Sequence, residues 1–372
     1  MMNIAGIIFS NIYDNAMGEL TKHRTVASVP FGGRYRLIDF VLSNMSNSNI
    51  SSVGIITKYN YRSLMDHLGN CSEWDLDRKN GGVVILPPFS TGPTTVYRGN
   101  LEALGNAIPF LESQNCDYVV LCDTTVVCSI DFEEVVEAHK ASGADVTVIA
   151  NREKRDYVCN ANDLVISVSD HTVTDLVIGQ REDPSAWIGM GMFVMERKYL
   201  LRVVRSYVAR GRYLFERDYL QKCFVENTIK INVFSFDKTV LRNQNIVSYF
   251  QNNFRLFDRN VRKELFFSGA PVYTKVRDEA PAYLAPGSKM NQCVLADGCV
   301  ISGNAENSVI FRDVIIEAGA TVRNCILMQG TRVCRGASID YVITDKNVVI
   351  SENRVLTGAA SAPLIINKNM HV

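Results

Sequence analysis

The sequence predicts an α/β domain with a mostly parallel sheet, followed by a C-terminal left-handed parallel β-helix. Up to about residue 255, apolar runs of strand length alternate with longer helical patterns, which is typical of a parallel sheet with helices on both faces. After about residue 280 the helical patterns stop, and short apolar clusters recur with glycine and small residues between them. We therefore expect three segments: a domain at 1–255, a connecting helix and linker at 256–280, and the β-helix at 281–372.

Four apolar runs in the first segment have the length of buried strands. They lie at residues 4–9, 53–57, 118–122 and 146–150. A helical pattern fits between the last two runs. Asp131 is suited to cap its N-terminus, Glu134 stands where a capping-box partner would be, and Gly143 is suited to end it. The pattern predicts a strand–helix–strand unit.

A weak repeat supports the β-helix. The sequence A-G-A-T-V at 318–322 returns as R-G-A-S-I at 335–339, seventeen positions later, and D-G-C-V-I at 297–301 resembles an earlier copy. This spacing is close to the roughly 18 residues of a coil built from three hexapeptides. Such coils stack aliphatic residues inside and place small residues at the corners. Because the repeat is irregular, an ordinary antiparallel β domain is the alternative.

The composition excludes several classes of protein. Lys and Arg total 39 and Asp and Glu total 39, so no net charge attracts nucleic acid or an anionic membrane. No run approaches the roughly 20 apolar residues of a membrane span, and the N-terminus lacks the basic region of a signal peptide. The ten cysteines form no Cys-x-x-Cys pair, which is typical of reduced thiols and not of a zinc ribbon or a disulfide framework. We expect a cytoplasmic protein that binds neither nucleic acid nor a membrane.

Long motifs relate the chain to a known enzyme family. They are V-P-F-G-G-R-Y-R-L-I-D-F at 29–40, L-S-N at 42–44, W-D-L-D-R-K-N-G-G-V at 74–83, L-P-P at 86–88 and Y-R-G at 97–99. By these residues the chain resembles the glucose-1-phosphate adenylyltransferase family over nearly its whole length. The resemblance implies a Rossmann-like nucleotidyltransferase domain ahead of the left-handed β-helix. It also implies the family's reaction, in which ATP and glucose 1-phosphate give ADP-glucose and diphosphate for glycogen or starch synthesis.

That reaction needs groups that this chain lacks. Phosphoryl transfer between two anions calls for Mg²⁺ on paired aspartates, for cations on the phosphates and for a glycine-rich loop. The loop at 10–18 has one late glycine, an aspartate and no Lys or Arg. Alignment to the family motifs places Ala16 at the arginine of that loop and Val26 at the family's lysine. The resemblance therefore implies that both cations are lost.

Both metal ligands of the family are also replaced. Alignment places Thr125 at the first metal-binding aspartate and Arg242 at the second. Asp123 lies two residues before Thr125 on the same face of the strand, so it is the alternative ligand, displaced by roughly 6–7 Å. The family's Glu-Lys-Pro motif is missing as well, and Arg181 is the nearest cation to its position. We therefore expect no catalytic residue, no metal site and no cofactor in this chain alone.

A fold that is kept without its catalytic groups predicts a role as a partner. Within the family, the chain most resembles the non-catalytic regulatory subunit that some bacteria pair with a catalytic one. The resemblance implies a hetero-oligomer, expected to be a heterotetramer, in which the catalytic partner uses Mg²⁺; self-association is also open. Two alternatives remain: a competent enzyme that uses Asp123, and a scaffold subunit of another complex. A hexapeptide acyltransferase is excluded, because residues 281–370 contain no histidine base.

Five residues are candidates for binding a ligand or effector: Arg34, Arg36, Tyr97, Arg98 and Gly99. The two arginines at 34 and 36 follow a glycine pair, and the resemblance places them near the family's allosteric anion site, so we expect a sugar phosphate there. The forked donors of arginine suit phosphate. Residues 97–99 match the lining of the family's substrate site. Asn100 and Lys58 depart from the family pattern there, which leaves residual nucleotide binding open.

Overall fold

The computed structural model describes residues 3–12, 14–79, 81–88, 97–154, 157–169 and 172–372. The chain divides into two compact units. The first consists of Met1–Ile12, Phe40–Tyr61 and Leu68–Val240, and the second of Tyr13–Asp39, Arg62–His67 and Leu241–Val372. The C-terminal part of the chain therefore shares its unit with two segments from the N-terminal part.

The strands are numbered in chain order. They are β1 (Ile4–Phe9), β2 (Pro30–Phe31), β3 (Tyr35–Arg36), β4 (Ser52–Ile56), β5 (Gly82–Leu86), β6 (Tyr118–Asp123), β7 (Val126–Val127), β8 (Val146–Asn151), β9 (Leu164–Ser169), β10 (Thr172–Ile178), β11 (Trp187–Glu196), β12 (Ile231–Ser235), β13 (Leu241–Arg242), β14 (Tyr283–Leu284), β15 (Lys289–Leu295), β16 (Val300–Ile301), β17 (Asn304–Ile310), β18 (Ile315–Ile316), β19 (Thr321–Arg323), β20 (Ile326–Leu327), β21 (Arg332–Val333), β22 (Ser338–Asp340), β23 (Val342–Thr344), β24 (Val349–Ile350), β25 (Val355–Thr357) and β26 (Leu364–Ile366).

The helices are mostly short. The α-helices are α1 (Leu37–Asn47), α2 (Arg62–Leu68), α3 (Asn100–Ser113), α4 (Phe132–Ser142), α5 (Arg197–Val208), α6 (Lys222–Val225), α7 (Ile246–Arg255) and α8 (Arg259–Phe266). Segments of 3₁₀ helix lie at Asp14–Thr21, Val26–Ser28 and Ser72–Trp74, and a π-helical segment lies at Phe215–Gln221. Among the described residues, no helix has both the length and the apolar character that crossing a membrane requires.

The first unit is built on a mixed sheet with a parallel core. Its strands follow the order β10-β9-β11-β6-β1-β4-β5, and β8 joins β11 to β12. Strands β6, β1, β4 and β5 run parallel, whereas β11 is antiparallel to β6, β8 and β9. The predicted runs at 4–9, 53–57, 118–122 and 146–150 are confirmed as β1, β4, β6 and β8 to within one residue. The sequence predicts a mostly parallel sheet, and the observed sheet is mixed because β11 lies between β6 and β8.

Helices cover both faces of this sheet. On one face α3 and α5 pack over Ile7, Val119 and Phe193 in one continuous core. On the other face α1 lies so close to β1 that a Cβ on Gly6 would come within 2.5 Å of Met45 Sδ. Only glycine fits at that position without a shift of the methionine.

The predicted helix after Asp131 is confirmed as α4. The Asp131 carboxylate accepts a hydrogen bond from the amide of Glu133, the second helical residue, at 2.8 Å. The capping-box pattern predicts a bond from the third helical residue instead. Gly143 ends the helix in a left-handed conformation with φ 56°. His139 Nδ1 lies 2.9 Å from Thr147 Oγ1 of β8. Because side chains alternate along a strand, α4 lies on the face opposite to α5.

The second unit contains the left-handed parallel β-helix that the sequence predicts. One of its sheets has the order β14-β16-β18-β21-β24, and the other contains β15, β17, β19, β20, β22, β23, β25 and β26. Every described strand pair in these sheets is parallel, so the alternative of an antiparallel domain is wrong. The register advances by seventeen residues in the central coils, as from Ile315 to Arg332 to Val349, whereas the step from Val300 to Ile315 is fifteen residues and that from Val342 to Leu364 is twenty-two. Aliphatic side chains such as Ile316 and Val333 fill the interior.

The corners of the coils use left-handed backbone conformations. Asn307, Asn324 and Tyr341 succeed one another at one corner, with φ values of 45°, 46° and 53°. Asn307 Nδ2 donates to Asn324 Oδ1 at 2.6 Å, and Asn324 Nδ2 donates to Asp340 Oδ1 at 2.8 Å. Asparagine tolerates this conformation better than other non-glycine residues. The hydrogen-bonded ladder therefore stabilises corners at which an ordinary side chain would be strained.

Substitutions at Asn324 separate these two contributions. Asn324→Ala removes the ladder and leaves an ordinary Cβ in the left-handed region, so we expect the free energy of unfolding to fall by about 2 kcal/mol. Asn324→Gly removes the ladder and keeps the conformation accessible, and we expect a loss of about 1 kcal/mol. Urea unfolding measures both losses. Equal losses for the two variants would show that the left-handed backbone contributes nothing.

Candidate functional site

The first candidate site lies at the carboxyl edge of the parallel core in the first unit. Strands β1, β4 and β6 end there side by side, and ligands of open α/β sheets bind at this edge. Ser10, directly after β1, donates to Ile56 O from Oγ at 2.9 Å and from its amide at 3.1 Å. Asn11 Oδ1 accepts the amide of Lys58 at 2.9 Å. Polar side chains thus fasten the loop to the end of β4, where a phosphate loop would present glycine amides.

The remainder of that loop belongs to the second unit. Asp14 Oδ1 accepts the amide of Val26 at 2.7 Å, and Thr21 Oγ1 donates to Asp14 O at 2.5 Å. Val26 is buried, whereas Ala16 is exposed. The two positions that the alignment assigns to the family's cations therefore carry a buried apolar side chain and a solvent-exposed methyl group. The aspartate of the loop serves as an internal acceptor.

Asp123, the alternative metal ligand of the sequence analysis, is bonded to Thr125, which the alignment places at the family's first metal-binding aspartate. Asp123 Oδ2 accepts Thr125 Oγ1 at 2.7 Å, and Asp123 Oδ1 accepts the amide of Thr125 at 3.1 Å. Burial raises the pKa of Asp123 to about 6, with the Glu216 carboxylate adding to the shift and the bonds from Thr125 opposing it. A Cβ on Gly191 would come within 3.0 Å of Asp123 Cβ. The carboxyl group is enclosed, and Thr125 satisfies it.

The residues present do not suit Mg²⁺. This ion takes near-octahedral oxygen ligands, usually with one or two carboxylates, and the described residues contain no group of three or more His, Cys, Asp or Glu side chains that could hold a metal ion. Arg242, which the alignment places at the family's second metal ligand, lies in β13 of the second unit and is buried. Its carbonyl oxygen accepts Asn252 Nδ2 at 2.8 Å. A guanidinium at a metal position repels a divalent cation.

The predicted substrate-site residues 97–99 lie at the N-terminus of α3 in the first unit. Arg98 stacks on Tyr213, with Cζ 3.6 Å from the ring centroid, and Arg98 Nη2 lies 2.7 Å from Glu102 Oε1. A Cβ on Gly99 would clash with Tyr213 O, so packing alone requires this glycine. Tyr97 is buried, and its hydroxyl accepts a hydrogen bond from the side-chain amide of Asn106 in α3. The three residues have structural contacts that leave Arg98 already paired with a carboxylate.

Arg181, the cation nearest to the missing Glu-Lys-Pro motif, is held by backbone carbonyls. Its Nη1 donates to Lys154 O at 2.8 Å, and its Nη2 donates to Glu153 O at 3.1 Å and to Pro184 O. The guanidinium thereby joins two loop segments of the first unit. Its observed contacts are those of a structural residue.

The second unit contains a cavity lined by positive charge, which we call the basic cavity. It is open to solvent and has a volume of about 50 Å³. Its cationic residues are Arg34, Arg36, Lys275, Arg277, Arg312 and Lys346. Among the described residues, no carboxylate lines it. The structure thus brings the two predicted arginines together with four cations that the sequence motifs did not indicate, in a cleft whose field favours an anion.

Two arginines of the basic cavity are strongly desolvated. Arg36 Nη1 donates to Ser63 O at 2.6 Å, and burial lowers the pKa of Arg36 to about 10. Arg312 is only 8% exposed, and its Nε and Nη2 have no hydrogen-bond partner among the described residues. Burial lowers the pKa of Arg312, and the charges of Arg34 and Arg277 lower it further. A buried guanidinium with unused donors is costly, and a bound anion would offset that cost.

A buried carboxylate fixes the segments that line the basic cavity. Asp39 Oδ1 lies 2.5 Å from His67 Nε2, while Asp39 Oδ2 accepts Thr274 Oγ1 at 2.6 Å and the amide of Arg36 at 2.9 Å. Burial lowers the pKa of His67, and Asp39 opposes that shift. These bonds join the turn before α1, the end of α2 and the linker ahead of the β-helix. The cations on those segments are therefore positioned before any ligand arrives.

The seventeen-residue repeat of the β-helix could have indicated some of the cavity residues that the motifs did not. Arg312, Gln329 and Lys346 are seventeen residues apart, and all three line the basic cavity. Once Arg312 is assigned to the cavity, the period of the coil predicts the other two. Lys275 and Arg277 lie in the linker, which has no periodic pattern, so only the folded chain reveals them.

Comparison with known proteins agrees with this architecture. Residues 17–238 match the family model for nucleotidyl transferases, and residues 283–360 match the model for the GlmU-like C-terminal hexapeptide region. The chain is 34% identical over 325 residues to the glycogen biosynthesis protein GlgD of Geobacillus stearothermophilus, which covers 85% of this chain and 82% of that protein. It is 30% identical over 366 residues to GlgD of Bacillus subtilis, with coverage of 98% and 96%. It is 31% identical over 363 residues to the glucose-1-phosphate adenylyltransferase of Pseudothermotoga lettingae, with coverage of 96% and 85%.

The chain belongs to the glucose-1-phosphate adenylyltransferase family. In this family member the motif at 29–40 forms β2, the turn that carries Arg34, β3 with Arg36, and the start of α1. At the positions that the alignment assigns to the family's catalytic groups, Asp14 and Asp123 accept local hydrogen bonds.

Asp123→Asn tests whether this adenylyltransferase homologue keeps a metal ligand. The folded-state pKa of about 6 lies above the unfolded value, so the folded wild type binds this proton more tightly and loses stability as pH rises between the two values. The uncharged variant escapes that loss. Its stability relative to wild type should therefore rise by about 1–2 kcal/mol from pH 5 to pH 8.

Urea unfolding of both proteins at the two pH values, with and without Mg²⁺, measures this difference. We expect Mg²⁺ to change neither curve. A selective stabilisation of the wild type by Mg²⁺ would instead show that Asp123 holds the metal.

Proposed function

We propose that the chain is a catalytically deficient regulatory subunit of a glucose-1-phosphate adenylyltransferase that acts in glycogen biosynthesis. The replacement of the catalytic groups carries this proposal. Ala16 and Val26 stand at the family's two cations, and Thr125 and Arg242 stand at its two metal ligands. The relatives support the pathway, because two of them are named glycogen biosynthesis proteins and a third is named glucose-1-phosphate adenylyltransferase.

The chemistry of nucleotidyl transfer explains why such a chain would be inactive alone. Glucose 1-phosphate attacks the α-phosphate of ATP, and the negative charge of the transition state needs Mg²⁺ and fixed cations. Loss of a single preorganised electrostatic group typically lowers the rate by about 10²–10³. Asp123 is a poor substitute because it is enclosed and bonded to Thr125. The catalytic groups and Mg²⁺ would then come from a partner, and this chain needs no cofactor of its own.

The proposed partner is a catalytic subunit of the same family. We propose that the two form a hetero-oligomer in the cytoplasm, specifically a heterotetramer, with self-association of this chain as the secondary arrangement. Homologous subunits that share a fold can use the same kind of surface to assemble. The balance of 39 basic and 39 acidic residues favours such protein contacts over a nucleic acid or a membrane.

The basic cavity supports a regulatory role, and we propose a sugar phosphate as its effector. Arg34, Arg277 and Arg312 supply guanidinium forks for a phosphate, and the donors of Arg312 are unused. Gln329 supplies an amide that can bond a sugar hydroxyl. An effector bound there would shift the rate or the affinity of the catalytic partner. Such couplings typically amount to about 1–3 kcal/mol, or a factor of about 5–150.

Product formation by the separate and combined subunits tests this function. ADP-glucose synthesis from ATP, glucose 1-phosphate and Mg²⁺ is measured for this chain, for a catalytic partner and for the co-purified pair. We expect no turnover by this chain alone, and in the pair a rate or effector response that differs from the partner's by a factor of about 5–150.

Two results would contradict this expectation. Turnover by this chain alone at the partner's rate would favour the competent enzyme that uses Asp123. Failure of the two chains to associate would favour a scaffold subunit of another complex.

Anion binding by the isolated chain tests the effector site. Titration with glucose 6-phosphate and with inorganic phosphate, followed by calorimetry, should show binding that Arg312→Gln weakens at least tenfold, because a charge-assisted bond to a desolvated guanidinium is lost. Arg354→Gln is the matched control, since Arg354 is an exposed arginine of the same β-helix and does not line the cavity. Equal weakening by both substitutions would mean that the anion responds to overall charge and not to the cavity.

A further inference from the structure

Two lysines line the basic cavity, and their surroundings differ. Lys275 Nζ donates to Asp66 O at 2.7 Å. Lys346 lies in the turn between β23 and β24, is only partly exposed, and its Nζ has no hydrogen bond or ion pair with any described residue. Its amine therefore faces the cavity without being committed to another group.

The charges around Lys346 are almost all positive. Those that act on its amine are Arg24, Arg36, Arg277 and Asp345. Asp345 is the only carboxylate among them, and both of its oxygens bind Arg24 Nη2, at 2.6 and 2.8 Å. Burial lowers the pKa of Lys346 to about 7, and the neighbouring arginines lower it further than Asp345 restores it. At neutral pH about half of this amine is uncharged, against roughly 0.04% for an ordinary lysine.

The same cavity supplies the two parts of a group-transfer site. An uncharged lysine amine that is desolvated or beside other cations is an activated nucleophile. The arginines next to it, above all Arg312 with its unused donors, suit a phosphate group. A small molecule that carries an electrophilic carbon directly on a phosphate would place that carbon near the amine.

We propose that Lys346 is a modification site that small acyl phosphates acylate inside the basic cavity. Lys346 Nζ attacks the acyl carbon and forms an N–C bond. The bond between the acyl carbon and the oxygen that bridges it to phosphorus breaks. Inorganic phosphate leaves with the bonding electron pair, and the amine loses one proton to solvent. The product is an uncharged amide, so the reaction needs no oxidant or reductant.

Acylation would remove one of the six cations of the basic cavity and fill part of its volume. An anionic effector would then bind more weakly, so the modification would reduce the effector response proposed above. The inference rests on that proposed anion site for its consequence, although the acylation itself is measured independently.

Acetyl phosphate is the probe for this inference. The full-length protein is incubated with it at several pH values, and peptide mass spectrometry follows acetylation at each lysine. We expect Lys346 to react at least tenfold faster than the exposed Lys238 and Lys368, with a rate that rises through a midpoint near pH 7. Acetylation should weaken phosphate binding in proportion to its extent.

Two comparisons show whether the cavity is responsible. Arg312→Gln and saturating inorganic phosphate should each slow the labelling of Lys346 and leave Lys238 and Lys368 unchanged. Lys346→Arg should abolish labelling in that peptide and keep phosphate binding. Labelling of Lys346 no faster than that of Lys238 would overturn the inference.

The same experiment distinguishes the two proposals. Phosphate binding without rapid labelling overturns the acylation and leaves the effector site intact. If labelling is rapid but is slowed neither by phosphate nor by Arg312→Gln, the cavity cations do not capture the acyl phosphate, and that part of the inference is overturned.

Discussion

The buried ion pair between Arg24 and Asp345 is the interaction on which the second unit depends. Both carboxylate oxygens bind one guanidinium nitrogen, and the two side chains are 4% and 5% exposed. The pair joins the N-terminal segment to the β-helix across 321 positions of the sequence. Because loss of one partner would leave a buried charge, breaking it costs about 3–5 kcal/mol. The pair also occupies the carboxylate of Asp345, which adjoins Lys346, so this carboxylate offsets the charge of Arg24 and not that of the cavity cations.

In the first unit, positions that the alignment assigns to the family's site have local hydrogen bonds. Thr125 bonds Asp123, and Ser10 and Asn11 bond the backbone at the end of β4. Each replacement satisfies polar groups locally, as buried polar groups require. In the second unit Asp14 does the same for the amide of Val26. These positions thus contribute hydrogen bonds that stabilise the protein.

The sequence predicts the architecture well, because apolar periodicity and the seventeen-residue repeat report directly on buried faces. It predicts α4 from its caps, and the two arginines it selects, Arg34 and Arg36, line the basic cavity. It does not predict Lys275 and Arg277, since a linker has no period, nor the strand order in which β11 enters the sheet. Those features depend on long-range packing, which a local pattern does not encode. Residues 97–99 are the opposite case: the motif indicates a substrate site, whereas their contacts in the folded chain are structural.

Catalytic deficiency is the central claim, and a complex with a disabled partner tests it most directly. This chain is co-purified with a catalytic subunit whose own two metal-binding aspartates are replaced by asparagine, and ADP-glucose formation is measured. The disabled partner keeps its fold and its contacts, so this chain is assayed in its assembled state. We predict no turnover above that of the disabled partner alone. Restored turnover would contradict the claim, because this chain would then supply the catalytic groups that Ala16, Val26, Thr125 and Arg242 are inferred to have replaced.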